Sequence, residues 1–409
     1  MTRRRHSIVC LSSQRWDDGM WTNKQHVMSR LGEDHDVYHV DFGPRPLGRV
    51  LLQALGGQVP PLPPHRLLTR PRVRKRDGVT VLDFYAPGLS EVLPPAHPLR
   101  TFAAFELRLR LLGRYLRRHR ISSPILWVYH PGYGADVARL PHELLVYDCV
   151  DEYTAFPELA RARRWIAQRE AALCRRADLV FTTAASLQES KRRYNPEHTH
   201  LVHNVGDATH FNRALDPELE VPEELARLPR PVIGFVGAVS DYKLDLDWLL
   251  HLGRARPDFS LVLIGPTGLS DPGTDVSRLA ALPNVHLFGH RDYRALPAYV
   301  KGFDVAVIPY RINEYTRGVF PIKFFELMAS GRPVVISNLP ALEEYYPHVL
   351  VARTADELVD RCEAALGDSA HARSVRLELA ARNTWSDRVR ALWEHVEGRL
   401  SERADWSRR

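Results

Sequence analysis

Phe320-Pro321-Ile322-Lys323-Phe324-Phe325-Glu326-Leu327-Met328-Ala329-Ser330-Gly331-Arg332-Pro333-Val334-Val335 is the stretch on which the fold reading turns. Pro321 suits the first turn of a helix, where a missing N–H costs no intrahelical bond. Gly331 and Pro333 suit the helix end, and Val334-Val335-Ile336 opens a following strand. Upstream, Asp304–Ile308 is predicted as a strand and Pro309–Phe320 as the loop after it. The helix therefore starts at the carboxyl end of a strand, the edge where open α/β sheets bind ligands. Free backbone N–H groups around Val319, Phe320, Pro321 and Ile322 can hold a phosphate there. Glu326, about one turn further on, can accept hydrogen bonds from both hydroxyls of a ribose. It can equally be a surface carboxylate favoured by the helix dipole, and spacing alone does not choose.

Working outward, the same alternation recurs. In the second half, strands are predicted at Val232–Val236, Phe259–Ile264, Val285–Phe288, Asp304–Ile308, Pro333–Ile336 and His348–Val351. In the first half they are predicted at Ser7–Leu11, Asp36–Val40, Val79–Phe84, Ile125–Tyr129, Leu144–Tyr147, Asp178–Thr183 and His200–His203. Several are apolar at nearly every position, which marks strands covered on both faces. Helical patterns separate most of them. The fold class expected is α/β, with two doubly wound Rossmann-like domains. The chain divides into 1–205, a polar, proline-bearing hinge 206–231, a second domain 232–384, and a helical tail 385–409 that can cross back to the first domain. Residues 44–98, with Pro60-Pro61-Leu62-Pro63-Pro64 and the basic run Arg70–Arg76, read as a loop-rich insertion with one strand near Val79–Phe84.

With 409 residues, 44% hydrophobic and 26% charged, the chain is ordinary globular material for two domains. No apolar run reaches the length of a membrane span. The apolar run after the basic N-terminus is too short for a signal peptide. Cys10, Cys149, Cys174 and Cys362 lie far apart, so neither a disulfide framework nor a zinc site is expected, and a cytoplasmic, reducing location fits. A net charge of +7 suits a phosphorylated donor, an anionic membrane surface or nucleic acid. The basic residues are scattered and carry no aromatic stacking motif, which argues against nucleic acid. Phe102–Arg120 mixes Phe and Leu with Arg. It reads first as a domain helix with a solvated basic face, and second as a peripheral membrane contact.

Other motifs collect at predicted strand ends. Ile233–Lys243 runs from a strand through Gly237, which allows close backbone approach, to Lys243, which can pair with a diphosphate or simply be solvated. Val285–Arg291 ends a strand at Gly289, where the backbone of His290 and Arg291 can meet a base edge. His130, just past Ile125–Tyr129, can act as a base or orient a hydroxyl, or merely cap a loop. Asp148, Asp151 and Glu152 follow the next strand. One of them, Asp151, is taken as the contact to an acceptor hydroxyl, against a background of turn and capping roles. Gly19, in the loop Ser12–Trp21, can let backbone approach the donor, or serve a plain Asp-Gly turn. Asp245-Leu246-Asp247 spells a metal-binding Asp-x-Asp but falls at a predicted helix start, so it is read as helix chemistry.

The second half resembles the GT-B glycosyltransferases of family 4, in the branch whose signature is Pro-x-Lys-x-x-Glu followed by Ala-x-Gly-x-Pro-Val-Val. Here these are Pro321 to Glu326 and Ala329 to Val335. Ala177–Val180, His203–Asp207 with Phe211, Phe303–Pro309 and Thr384-Trp385-Ser386 match in order. The resemblance implies two domains facing across a cleft and transfer of a sugar from a nucleoside-diphosphate sugar to a hydroxyl acceptor. It also implies retention of configuration, no cofactor and no obligatory metal. Glu326 would hold the donor ribose, Lys243 the diphosphate, Gly289 to Arg291 the base, and His130 would be the active-site histidine. Two positions depart from the pattern. Gly318 stands where a glutamate is usual, which leaves the sugar contact to Glu314 or backbone. Ala238 stands where an arginine is usual, which shifts the diphosphate onto Lys243 with Arg317 or Lys323. The acceptor implied is a polysaccharide, a lipid-linked glycan or a secondary metabolite. A nucleotide-sugar epimerase and an inactive nucleotide-sugar-binding protein are the rival readings.

Overall fold

Strands apolar on both sides need helices above and below them, and two such stacks are present. The structure, a computed structural model, describes residues 4–12, 14–17, 21–44, 71–86 and 98–406. Gly19 and much of the proline-rich insertion lie outside the described residues.

The first sheet contains β1 (Ser7–Leu11), β2 (Asp36–Pro44), β3 (Arg72–Arg76), β4 (Val79–Ala86), β5 (Ile125–Val128), β6 (Leu144–Cys149), β7 (Leu179–Thr182) and β8 (Thr199–Leu201). Their spatial order is β3-β4-β2-β1-β5-β6-β7-β8. All pairs are parallel except β3 with β4. Side chains alternate between two cores. Val9 and Leu11 face the helix Pro98–Arg118, while Ile8 and Cys10 face the helix Asn23–Asp34. The terminal helix Trp385–Trp406 joins the latter core through Trp385, Leu392, Trp393 and Val396.

The second sheet contains β9 (Val232–Val236), β10 (Ser260–Ile264), β11 (Val285–Gly289), β12 (Val305–Ile308), β13 (Val334–Ser337) and β14 (Leu350–Ala352). It is wholly parallel, in the order β11-β10-β9-β12-β13-β14. That order, 3-2-1-4-5-6 within the domain, is the doubly wound one, with its switch point between β9 and β12. The first sheet switches likewise between β1 and β5. Residues 206–231 are not a bare linker. They carry the helical turns Ala208–Phe211 and Glu223–Ala226, and Phe211 and Leu225 are buried in the second core.

One expectation changes, and the first reading of Phe102–Arg120 holds. The basic run Arg70–Arg76 is not loop throughout: Arg72–Arg76 forms β3, paired antiparallel to β4 across Asp77-Gly78, both at positive φ. An Asp-Gly pair between two extended runs is a hairpin signal. It was obscured because an edge strand exposed on both faces needs no apolar alternation. The helix Pro98–Arg118 turns Leu109, Leu112, Tyr115 and Leu116 into the core and leaves Arg110, Arg114 and Arg117 exposed. From Leu109 to Leu116 its apolar side chains are therefore occupied in the core. Among the described residues no helix is long and apolar enough to cross a membrane. All four cysteines are buried free thiols.

A fully buried ion pair ties the terminal helix to the first sheet. Arg388 lies 3.6 Å from Asp148 and donates to the carbonyl of His203 at 2.6 Å. Asp148 also accepts from the Trp127 indole at 3.2 Å. Removing one partner strands a buried charge, which costs about 3–5 kcal/mol. Arg388→Ala should therefore lower unfolding stability by about that amount in chemical denaturation, whereas Arg390→Ala, on the exposed side, should change it by less than about 1 kcal/mol.

Candidate functional site

The two switch points face each other across a cavity of about 670 Å³. Its walls come from both domains: Lys24, His130, Asp151 and Tyr153 from the first, Gly237, Lys243, Tyr310, Tyr315, Lys323 and Glu326 from the second.

The helix Ile322–Ala329 opens into this space with Pro321 as its extended N-cap. The open amides are shifted from those the sequence suggested, with Phe320 N–H still lacking an acceptor among the described residues. Val319 N–H is taken by the Thr316 carbonyl, Pro321 has none, and Phe324 N–H donates to the Pro321 carbonyl. Ile322 and Lys323 are left as the helix-start donors. Glu326 is 7% exposed and lines the cavity, so the surface-carboxylate reading fails. Its Oε1 accepts from the Tyr293 hydroxyl at 3.0 Å. Burial pushes its carboxyl up to about 7, against the lowering effects of Tyr293 and Lys323.

Two lysines converge on one phenol. Lys323 Nζ donates to the Tyr310 hydroxyl at 2.8 Å. Lys243 Nζ lies 5.2 Å from the Tyr310 ring centroid and 5.8 Å from that of Tyr315. Burial pulls the Lys323 ammonium down to about 8. A Cβ on Gly237, whose φ is +144°, would come within 2.8 Å of Lys323 Nζ. The glycine turn and this ammonium thus share one space at the carboxyl ends of β9 and β12. Arg317 is exposed and outside the cavity wall; its backbone N–H donates to the Asn313 carbonyl at 3.1 Å and its carbonyl accepts from Ser186 Oγ at 2.9 Å. Of the two substitutes for the arginine missing at Ala238, the geometry selects Lys323. Ala238 itself lines the cavity.

Glu314 does not take over the role of a glutamate at 318. It is exposed and paired with Arg163 of the first domain. Gly318 is buried, and a Cβ there would lie 3.2 Å from Leu187 Cδ2 and 3.5 Å from Glu152 Cβ. The loop Pro309–Phe320 docks directly on the first domain at this point. Tyr315 donates to Asp151 Oδ1 at 3.0 Å, and Asn204 Nδ2 donates to the Phe320 carbonyl at 2.7 Å.

At the base-side turn, Gly289 has φ +67° and gives its carbonyl to Gly265 N–H, without lining the cavity itself. His290 and Arg291 do line it. The Arg291 guanidinium turns to Glu224, with bonds of 2.8 and 2.9 Å, so backbone is what this turn offers a base.

His130 sits after β5 and lines the cavity, but it is poorly suited to be a base. Its Nδ1 accepts from Gly132 N–H at 3.0 Å. Burial first, then Arg108 and Lys24, lower its pKa to about 3. A neutral ring bonded through Nδ1 carries its proton on Nε2 and acts as a donor. Asp151 lies nearby with its carboxyl raised by burial, against Lys24 and Lys243. Asp245 is a helix cap, accepting from Trp248 N–H at 3.1 Å, and Asp247 pairs with Arg278. Sequence reasoning passed over Asn23, Lys24, Tyr293 and Asn204. A Thr-x-x-Gln capping box at Thr22 and Gln25, right after β1, was the signal available for the first two.

Two doubly wound domains with facing switch points make a GT-B fold, and the cavity between them brings two lysines beside a buried carboxylate. Residues 230–368 match the family model described as Glycosyl transferases group 1. The chain is 26% identical over 335 residues to the "Putative teichuronic acid biosynthesis glycosyltransferase TuaH" of Bacillus subtilis (strain 168), covering 73% of this chain and 83% of that one. Among solved structures it is similar to sucrose-phosphate synthase from Thermosynechococcus elongatus, with TM-score 0.64, 17% identity, and coverage of 99% of this chain and 98% of that one. It is also similar to trehalose-6-phosphate from E. coli bound with UDP-2-fluoro glucose, with TM-score 0.69, 11% identity, and coverage of 96% and 99%. At those identities the structural likeness establishes the fold. With the family match it supports a nucleotide-sugar-dependent glycosyltransferase.

Gly237→Ala should displace the Lys323 ammonium and strain the turn. Expected is at least a tenfold loss of nucleoside-diphosphate affinity in calorimetry, with the far-ultraviolet circular dichroism unchanged.

Proposed function

We propose that the protein is a retaining glycosyltransferase that moves a sugar from a nucleoside-diphosphate sugar to a hydroxyl of a polysaccharide or related glycan acceptor. The observation that carries this is the placement of Glu326 and Lys323 one turn apart on a single helix start, with Lys243 beside them. A carboxylate for a ribose diol and two ammonium groups for a diphosphate are what a nucleoside diphosphate requires. The acceptor class is supported by the polysaccharide role in the name of the Bacillus relative.

In this reading the Ile322 and Lys323 amides and the two ammonium groups take up charge that grows on the leaving diphosphate, which is electrostatic catalysis. The acceptor oxygen bonds to the anomeric carbon on the face from which the diphosphate departs. The C–O bond to phosphate breaks, and the acceptor proton passes to a phosphate oxygen. His130 Nε2–H donates to a sugar hydroxyl, and Asp151 orients the acceptor hydroxyl from the first domain. The positive charge needed comes from the protein, so the scheme invokes no metal and no cofactor. Four buried thiols suit a reducing compartment such as the cytoplasm.

Nucleotide affinity should follow a bell in pH. The ribose diol needs Glu326 ionised, above about 7, and the diphosphate needs Lys323 protonated, below about 8. Titration calorimetry from pH 6 to 9 should show tightest binding between those limits. Glu326→Gln should weaken nucleoside-diphosphate binding at least tenfold, and unchanged affinity would refute the assignment. Because the fold raises the Glu326 pKa, the stability linked to its protonated form is present at acid pH and lost as pH rises through about 7. The same Gln variant should therefore melt at a higher temperature than wild type when both are ligand-free at pH 8.

A further inference from the structure

The first-domain wall of the cavity holds buried polar groups that a donor in the second domain leaves unused. Lys24 is 8% exposed and lines the cavity. Its ammonium lies 5.9 Å from the Tyr129 ring centroid. Among the described residues it has no hydrogen-bond acceptor, and no carboxylate stands within 4 Å of it. Asn23 is 5% exposed and lines the same wall, and its side-chain oxygen has no hydrogen-bond partner. Asp151 and Asp148 act on this ammonium only from beyond contact distance, so its three N–H groups are left without a bonded acceptor, which is costly in a buried place.

The surroundings say what kind of group would accept from it. Asn23 and Lys24 are the first two residues of a 12-residue helix. The capping box of Thr22 and Gln25 satisfies the Thr22 and Gln25 amides but not those of Asn23 and Lys24. Two open amides, the positive end of a helix and an ammonium therefore meet at the carboxyl edge of β1, at the switch point of the first sheet. The amides, the helix end and the ammonium favour an anion, while the Asn23 side-chain oxygen, an acceptor, favours a hydroxyl beside it. The site is also close to the reacting region, because the Lys24 charge acts on both His130 and Asp151. The cations facing the diphosphate, Lys243 and Lys323, stand on the opposite domain.

We propose that Asn23, Lys24 and the open amides at the start of their helix form a subsite for an acidic group, a carboxylate or phosphate, carried by the acceptor sugar. The acceptor is then an acidic sugar, held by its charge so that a hydroxyl of the same residue reaches the anomeric carbon between His130 and Asp151. This rests on the glycosyltransferase reading above and narrows its acceptor.

The test begins with wild-type protein saturated with the tightest-binding of UDP, GDP, ADP and dTDP. Calorimetry with glucuronate, glucose 6-phosphate and glucose should show at least one acidic sugar binding tenfold or more tighter than glucose. Which acid wins separates carboxylate from phosphate as the source of charge. Lys24→Met, of similar length and without charge, should lose that preference while nucleotide affinity stays within twofold. Lys24→Arg should keep the preference. The melting temperature of Lys24→Met should not fall, since a buried unpaired ammonium has been removed. Equal binding of all three sugars to wild type would overturn the proposal. So would a Lys24→Met variant that loses nucleotide affinity as strongly as acidic-sugar affinity, because Lys24 would then serve the donor. Failure of wild type to bind any nucleotide would instead sink the glycosyltransferase reading.

Discussion

The structure hangs on a close approach between the segment that joins the domains and the helix Ile322–Ala329. Gly206 lies against this helix so tightly that a Cβ would sit 2.7 Å from Glu326 N and 2.8 Å from Phe325 Cβ. Two residues earlier, Asn204 holds the Phe320 carbonyl. Gly206 also bridges to Thr384, where the chain leaves the second domain. Both crossings between domains therefore press on the one element that presents Lys323 and Glu326. Packing at that density allows little play. The helix start cannot drift without moving the domain junction, so the donor side of the cavity is held rigidly before any ligand arrives.

Much of this was legible because it rests on short-range physics. Strands such as Val232–Val236 and Leu144–Cys149 are apolar at almost every position, and only a sheet covered on both faces explains that. The position of Glu326 followed from counting one turn from Pro321. What stayed illegible depends on contacts between distant segments. That neither Arg317 nor Glu314 lines the cavity goes with contacts to the other domain, Ser186 on the Arg317 backbone and Arg163 on the Glu314 carboxylate. That His130 caps the turn at Gly132 is local and is among the sequence readings, but the lowering of its pKa comes from burial and from Arg108 and Lys24, which are far away in sequence. The choice of Lys323 as partner to Lys243 needed Tyr310 seen between them.

The cavity places several charges where the free protein gains nothing from them. Lys323 and Glu326 are both shifted toward their neutral forms by burial, and Asp151 likewise. Side chains already buried and already pointed need little reorganisation as charge develops, and electrostatic effects are strong in such surroundings. The cost is borne by the folded state, and the large cores on both faces of each sheet provide the compensating stability.

The outermost strand of the first sheet has a separate consequence. β3 reads Arg-Val-Arg-Lys-Arg and presents unpaired backbone groups along its outer side, beyond which the sheet ends. Among the described residues no strand lies beyond it, and an edge of this kind invites pairing with another strand. Four cations in five residues repel the same segment of another copy, and the lone valine, half exposed, offers it little apolar surface. Positive charge on this hairpin thus works as insulation, opposing edge-to-edge pairing of two copies.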